Sequence, residues 1–148
     1  MPNRTPNSRV DDLNGVYLFV SWLVAVGVTF AALSVDSITG ESPCYLCWLQ
    51  RLFMFPLAIV LGIAAYRLDA GVKVYALPLA GFGAVVAGVH TLSYFGPGQD
   101  LVKPCAQADP PCSGDPITIL AGLPSPLIFL LCFMLIGGLL ALCRFVER

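Results

Sequence analysis

The chain has 148 residues, 57% of them hydrophobic and only 11% charged, with a formal net charge of −1 and a mean hydropathy of +0.82. A soluble domain of this length needs far more polar surface to cover itself, so the composition specifies an integral membrane protein. The near-zero charge excludes the basic field that nucleic acid requires, and the sequence holds no internal repeat, glycine-rich phosphate loop or low-complexity tract.

A bilayer core about 30 Å thick takes roughly 20 apolar residues per helix. Gly15 to Val35 meets that length without a charge, and is too long for the short apolar region of a cleaved signal peptide. This first span is therefore expected to be retained. The second apolar run is the instructive one. The uncharged stretch between Arg51 and Arg67, Leu52 to Tyr66, makes only about 22 Å of helix, which is too short to cross. The helix must begin near Pro43, which leaves Arg51 inside the boundary region. An arginine there needs to snorkel or to find a partner, and is a functional-site hypothesis by default.

Val74 to Phe95 is again long enough to cross, with His90 the only titratable side chain apart from tyrosines. Ile117 to Cys143 is longer still but is interrupted by Pro124 and Pro126, so the last span is expected to start near Ser125 and leave "ITILAGL" as an apolar segment at the interface. The expected architecture is an all-α, four-helix membrane bundle, one domain over 1–148. Its helices cover about 15–35, 44–66, 74–95 and 125–143, and two extracytoplasmic, cysteine-bearing loops cover about 36–43 and 96–124. Arg4, Arg9, Arg67, Lys73, Arg144 and Arg148 fall on the termini and the central loop, against Lys103 and the boundary residue Arg51 on the other side. The positive-inside rule places both termini in the cytoplasm.

This topology sorts the six cysteines. Cys44 and Cys47 begin helix two, while Cys105 and Cys112 lie in the second outer loop, so both pairs face a compartment that permits disulfides. Cys132 and Cys143 fall within the last helix and read as small buried hydrophobes. In "SPCYLCWLQR", Ser42 is expected to cap the helix and Pro43 to occupy its first position. Cys44 and Cys47 then fall in the first turn, where the helix dipole lowers thiol pKa and makes a nucleophilic thiolate available. Cys44, Cys47 and Arg51, at i, i+3 and i+7, share one helical face, with Arg51 a turn deeper. Gln50 points about 100° away from Arg51, since an α-helix turns once in about 3.6 residues.

A redox CxxC facing the membrane under an arginine suits a lipid-soluble two-electron acceptor, and a quinone answers that description. Arg51 is expected to stabilise charge developing on a quinone oxygen, and His90, at similar depth, to contact the ring or relay protons. The second pair, "CAQADPPC", lies in a polar, proline-rich loop that a protein partner can reach, as exchange through a mixed disulfide requires. Read alone, that pair fits a structural staple equally well.

These residues resemble a known family. "CYLCWLQRLFMFPLAIVLGIA" is similar to the second helix of the DsbB family of disulfide-bond formation proteins, closest to the short BdbC-like branch with its signature C-x-L-C-W-x-Q-R. The resemblance covers nearly the whole chain: four helices, the helix-three histidine, a second outer cysteine pair and the proline-containing start of helix four. It implies a bacterial plasma-membrane oxidase that reoxidises a DsbA-like thioredoxin-fold protein and passes the electrons to ubiquinone or menaquinone. Carried onto this sequence, it assigns Cys105 to the mixed disulfide with the partner and Cys112 to release or to transient pairing with Cys44. It assigns Cys47 to contact or addition at the quinone, with Arg51 as the quinone-site arginine. With a partner potential of about −120 mV, the terminal acceptor must be more oxidising still, which glutathione is not. One departure is the short second loop, in which Cys105 and Cys112 stand close together in sequence.

Three other readings compete. A vitamin-K-epoxide-reductase-like enzyme shares four helices and a CxxC, but carries it on the last helix of its bundle. Zinc held by the four outer cysteines is disfavoured by the wide gap within the second pair and by the oxidising compartment. A structural protein, its outer cysteines forming static disulfides, would pack through the small residues Ala80, Ala84 and Gly88. That reading leaves the cysteines unexplained. No resident metal is expected.

Overall fold

The computed structural model describes residues 6–39, 44–95, 118–120 and 123–143. Four long helices dominate: α1 (Pro6–Thr39), α2 (Tyr45–Arg67), α3 (Lys73–Tyr94) and α4 (Ser125–Leu142). All four are long and apolar enough to cross a membrane, the candidate spans being Val10–Ile38, Tyr45–Arg67, Ala70–Tyr94 and Ser125–Leu142. The first helix exceeds the charge-free stretch at both ends. Asp11 and Asp12 precede the apolar run within the helix and Asp36 follows it, because a helix ends where its capping fails and not where the bilayer does.

Each helix packs on its neighbours in sequence, and α4 closes the ring against α1. The centre is filled by Leu18, Met54, Leu57, Leu61, Phe133 and Ile136, each 1% exposed or less. The outward faces are also apolar: Phe30 is 73% exposed, Phe82 64% and Met134 63%. Burial of that surface falls to lipid, since in water it would be a continuous aggregation surface. Pro56 and Pro78 lie inside α2 and α3, as membrane helices tolerate.

The small apolar residues buried on α3 are Ala76, Ala80, Gly83 and Ala87, and Gly83 is the one against which α4 places a ring. This corrects the expected set. Ala80 belongs to it, Ala84 is only partly buried, and a Cβ on Gly88 would meet nothing within 4 Å. At Gly83 a Cβ would fall 2.3 Å from the Phe133 ring, so glycine is what admits that ring. Gly62 plays a similar part for the Trp22 indole.

Leu68 ends α2 in the left-handed conformation (φ 52°), its N–H donating to the Ala64 carbonyl. A single 3-10 turn (Ala70–Val72), capped by Asp69 accepting from the Gly71 N–H at 2.9 Å, leads into α3. Lys73 then donates to the Cys143 carbonyl at 2.8 Å and ties the end of α4 to the start of α3. Before α4, "ITILAGL" contributes a short antiparallel ladder, β1 (Thr118–Leu120) against β2 (Leu123–Pro124). The Cys105–Cys112 loop lies outside the described residues.

Candidate functional site

The start of α2 differs from the expected cap. Cys44 itself is the N-cap, with extended backbone (φ −64°, ψ 162°), and its sulfur accepts from the Cys47 N–H at 3.4 Å. A cysteine thus satisfies one of the orphan donors of the first turn. The Cys44 and Cys47 sulfurs lie 2.8 Å apart as thiols, Cys44 buried and Cys47 half-buried. Cys44, one residue ahead of the span, is not the acidic thiol that the helix dipole suggested. Its pKa is pushed up to about 12, first by the hydrogen bond with Cys47 and then by burial, with His90 opposing. Cys44 therefore keeps its proton at neutral pH.

Helix three supplies the third member. His90 is buried, with Nε2 3.8 Å from the Cys44 sulfur and Nδ1 3.0 Å from Gln50 Nε2. With the amide donating to Nδ1, the ring proton rests on Nε2 and points at Cys44. Gln50 is 1% exposed and is the residue that the sequence reading left aside. Its position on α2 gives no hint of a partner on another helix, although a glutamine at membrane depth always requires one.

Of the two ways open to Arg51, snorkelling or pairing, the structure shows pairing. Its guanidinium forms a two-pronged ion pair with Asp36 of α1, through Nη1 to Oδ2 and through Nη2 to Oδ1 at 2.9 Å. Nη2 also reaches the Ala32 carbonyl at 3.4 Å. The exposed Trp48 indole lies 5.9 Å from the guanidinium carbon. Arg51 is 6% exposed, and its Nε has no hydrogen-bond partner among the described residues. At the centre of a span such a charge costs about 2.5–3.5 kcal/mol on insertion scales and nearer the boundary less, a cost that pairing offsets. Asp36 is the residue that sequence reasoning missed. The available signal was its place as the acid just past the first apolar run, opposite the arginine that opens the second.

Cys44, Cys47, Gln50 and His90 thus form one cluster, with Arg51 and Asp36 beside it one helical step deeper on the side towards α1. Cys132 and Cys143 lie elsewhere on α4: Cys132 is half-buried and packs against the central core, and the Cys143 thiol donates to the Leu139 carbonyl at 3.6 Å. Cys105 and Cys112 fall outside the described residues.

A multi-pass membrane bundle with a close thiol pair at the start of a spanning helix, backed by a buried imidazole, defines a membrane thiol–disulfide protein. The family model "Disulfide bond formation protein DsbB" matches residues 15–143. A "Probable disulfide formation protein" of Metapseudomonas resinovorans is 45% identical over 127 residues, which is 86% of this chain and 88% of the relative. "Disulfide bond formation protein C" of Bacillus subtilis (strain 168) is 40% identical over 121 residues, 82% of this chain and 87% of that one. A "Probable disulfide formation protein" of Deinococcus radiodurans is 37% identical over 131 residues, 84% and 86% of the two. The chain belongs to the DsbB family of disulfide bond formation proteins. No solved structure is significantly similar to it.

Proposed function

We propose that the chain is a dithiol:quinone oxidoreductase of the bacterial plasma membrane, with both termini cytoplasmic, that reoxidises an extracytoplasmic DsbA-like thioredoxin-fold protein. One observation carries the reading. A proximal thiol pair lies against a hydrogen-bonded histidine, next to a buried guanidinium whose Nε lacks a partner among the described residues. That orphan donor fits a quinone's carbonyl oxygen, and the apolar outer faces give such a molecule access from lipid. When bound, ubiquinone or menaquinone supplies a two-electron, two-proton acceptor.

The chain's own residues do the rest. The partner's thiolate attacks Cys105 of a Cys105–Cys112 disulfide and releases Cys112, and the partner's second thiol then displaces Cys105, leaving the partner oxidised. The loop dithiol reduces the Cys44–Cys47 disulfide in turn, by way of a transient Cys112–Cys44 bond. Cys44, holding its proton, hydrogen-bonds Cys47 and so stabilises the negative sulfur there, which is the electron donor. His90, once the Gln50 amide turns so that its carbonyl accepts the Nδ1 proton, takes up and returns protons at Nε2. Arg51, held by Asp36, offers positive charge where the acceptor gains negative charge. Two electrons and two protons leave the partner dithiol for each acceptor reduced.

The test is a purified assay with reduced thioredoxin-fold partner and quinone, following quinone absorbance. Catalysed quinone reduction that needs the partner is expected, and Arg51→His should raise the quinone KM. Absence of quinone reduction by an active, folded preparation would refute the reading.

A further inference from the structure

We infer that the reduced form of this protein binds one thiophilic divalent cation, Zn2+ or a close chemical relative, through Cys44, Cys47 and His90. The donor atoms of these three residues all lie within 4.8 Å of one another. The set differs from the four outer cysteines weighed above, because His90 takes the place of the loop pair and no chain beyond the helical bundle is needed. Two thiolates and one imidazole are a zinc donor set of the open kind, three protein ligands and a fourth position for water.

The geometry is close to what the ion demands. Two thiolates on tetrahedral zinc, at about 2.3 Å each, lie about 3.8 Å apart, so the sulfurs now at 2.8 Å must separate by about 1 Å through side-chain rotation. The 3.8 Å between the Cys44 sulfur and His90 Nε2 is already near the spacing of two ligands on one ion. The outer contact is also in place. Gln50 lies 3.0 Å from His90 Nδ1, and with its amide turned, its carbonyl accepts the Nδ1 proton, leaving the Nε2 lone pair for metal. Cys47, half-buried, gives the ion its way in.

Binding is tied to the redox state by its own balance. The dithiol loses two protons and gains one Zn2+, with no electron moved, whereas the Cys44–Cys47 disulfide has no thiolate to offer. Zinc would therefore hold the pair reduced and stall its reoxidation, a brake imposed by metal reaching the extracytoplasmic face. Binding does not depend on a quinone or a protein partner, so it stands or falls apart from the proposed reaction.

The experiment titrates the reduced, detergent-purified full chain with Zn2+ against a chromophoric chelator. A Cys105→Ser/Cys112→Ser background removes the loop thiols. One ion per chain is expected, with about two protons released at neutral pH. His90→Gln and Gln50→Leu should each weaken binding by about 10- to 100-fold, the range seen when even an outer partner of a ligand is lost. In the unaltered chain, Zn2+ should protect Cys44 and Cys47 from alkylation and leave Cys132 unaffected. Equal binding by the oxidised protein, binding that survives Cys44→Ser/Cys47→Ser, or an absence of protection in the unaltered chain would each overturn the inference.

Discussion

Replacing Asp36 by Asn removes the charge that answers Arg51 and leaves the rest of the site in place. Arg51 is 6% exposed, and its guanidinium loses a two-pronged ion pair, keeping the Ala32 carbonyl at 3.4 Å, the Trp48 ring and the neutral amide oxygen of the new side chain. Breaking a buried pair from one side costs about 3–5 kcal/mol. Asp36 is itself 26% exposed on its side chain, so part of that cost is relieved by solvent, and about 2 kcal/mol is expected. Function should fall with it. A guanidinium no longer held by α1 binds the acceptor more weakly, and about 1.4 kcal/mol of lost orientation is a tenfold higher quinone KM. The assay pairs denaturation in detergent micelles with quinone kinetics for Asp36→Asn, Arg51→Gln and the double variant. Removing both charges should recover much of the lost stability, because no charge is then left alone, but should not recover quinone affinity. If Asp36→Asn changes neither stability nor quinone KM, or if the double variant is the sum of the singles, the ion pair does not organise the site.

Cys44→Ala, Cys47→Ala, Cys105→Ala and Cys112→Ala should each abolish reoxidation of the thioredoxin-fold partner, whereas Cys132→Ala and Cys143→Ala should leave turnover nearly intact; steady-state rates of the six variants decide this. In the reduced protein, alkylation followed by mass spectrometry should modify Cys47 well ahead of Cys44. Cys44 should stay slow from about pH 7 to about pH 9, because a raised pKa keeps it protonated and only the thiolate reacts. Comparable rates at the two sulfurs would count against Cys44 as the proton holder. Gly83→Ala places a methyl 2.3 Å from the Phe133 ring and should cost about 1–3 kcal/mol by forcing α3 and α4 apart, read by thermal unfolding in detergent.

The bundle was legible because membrane burial is written one residue at a time. Each span is a run of apolar side chains, and a run too short to cross forced Arg51 below the boundary, where it had to snorkel or find a partner. The identity of that partner was not legible, since the pairing of Asp36 with Arg51 joins two helices across a loop and follows no local period. Gln50 illustrates the same limit. Its angle on α2 separated it from Arg51, and nothing local could show that α3 passes on that side with His90. The small-residue stripe was read in part: Ala80 is buried and Ala84 packs against the core, but a Cβ on Gly88 would meet nothing within 4 Å, and the glycine that the Phe133 ring requires is Gly83. At Cys44 the dipole expectation fails: the residue is the cap itself, where the hydrogen bond with the neighbouring sulfur and burial raise its pKa.

The central claim is that electrons cross from a protein dithiol to a lipid-borne acceptor through Cys44 and Cys47, and an anaerobic stoichiometric titration tests it most directly. With purified protein, reduced partner and a limiting amount of quinone as the only oxidant, one partner disulfide should form for each quinone reduced, and Cys44→Ala/Cys47→Ala should form none. Partner oxidation without matching quinone consumption, or at an undiminished rate in the double variant, would contradict the account.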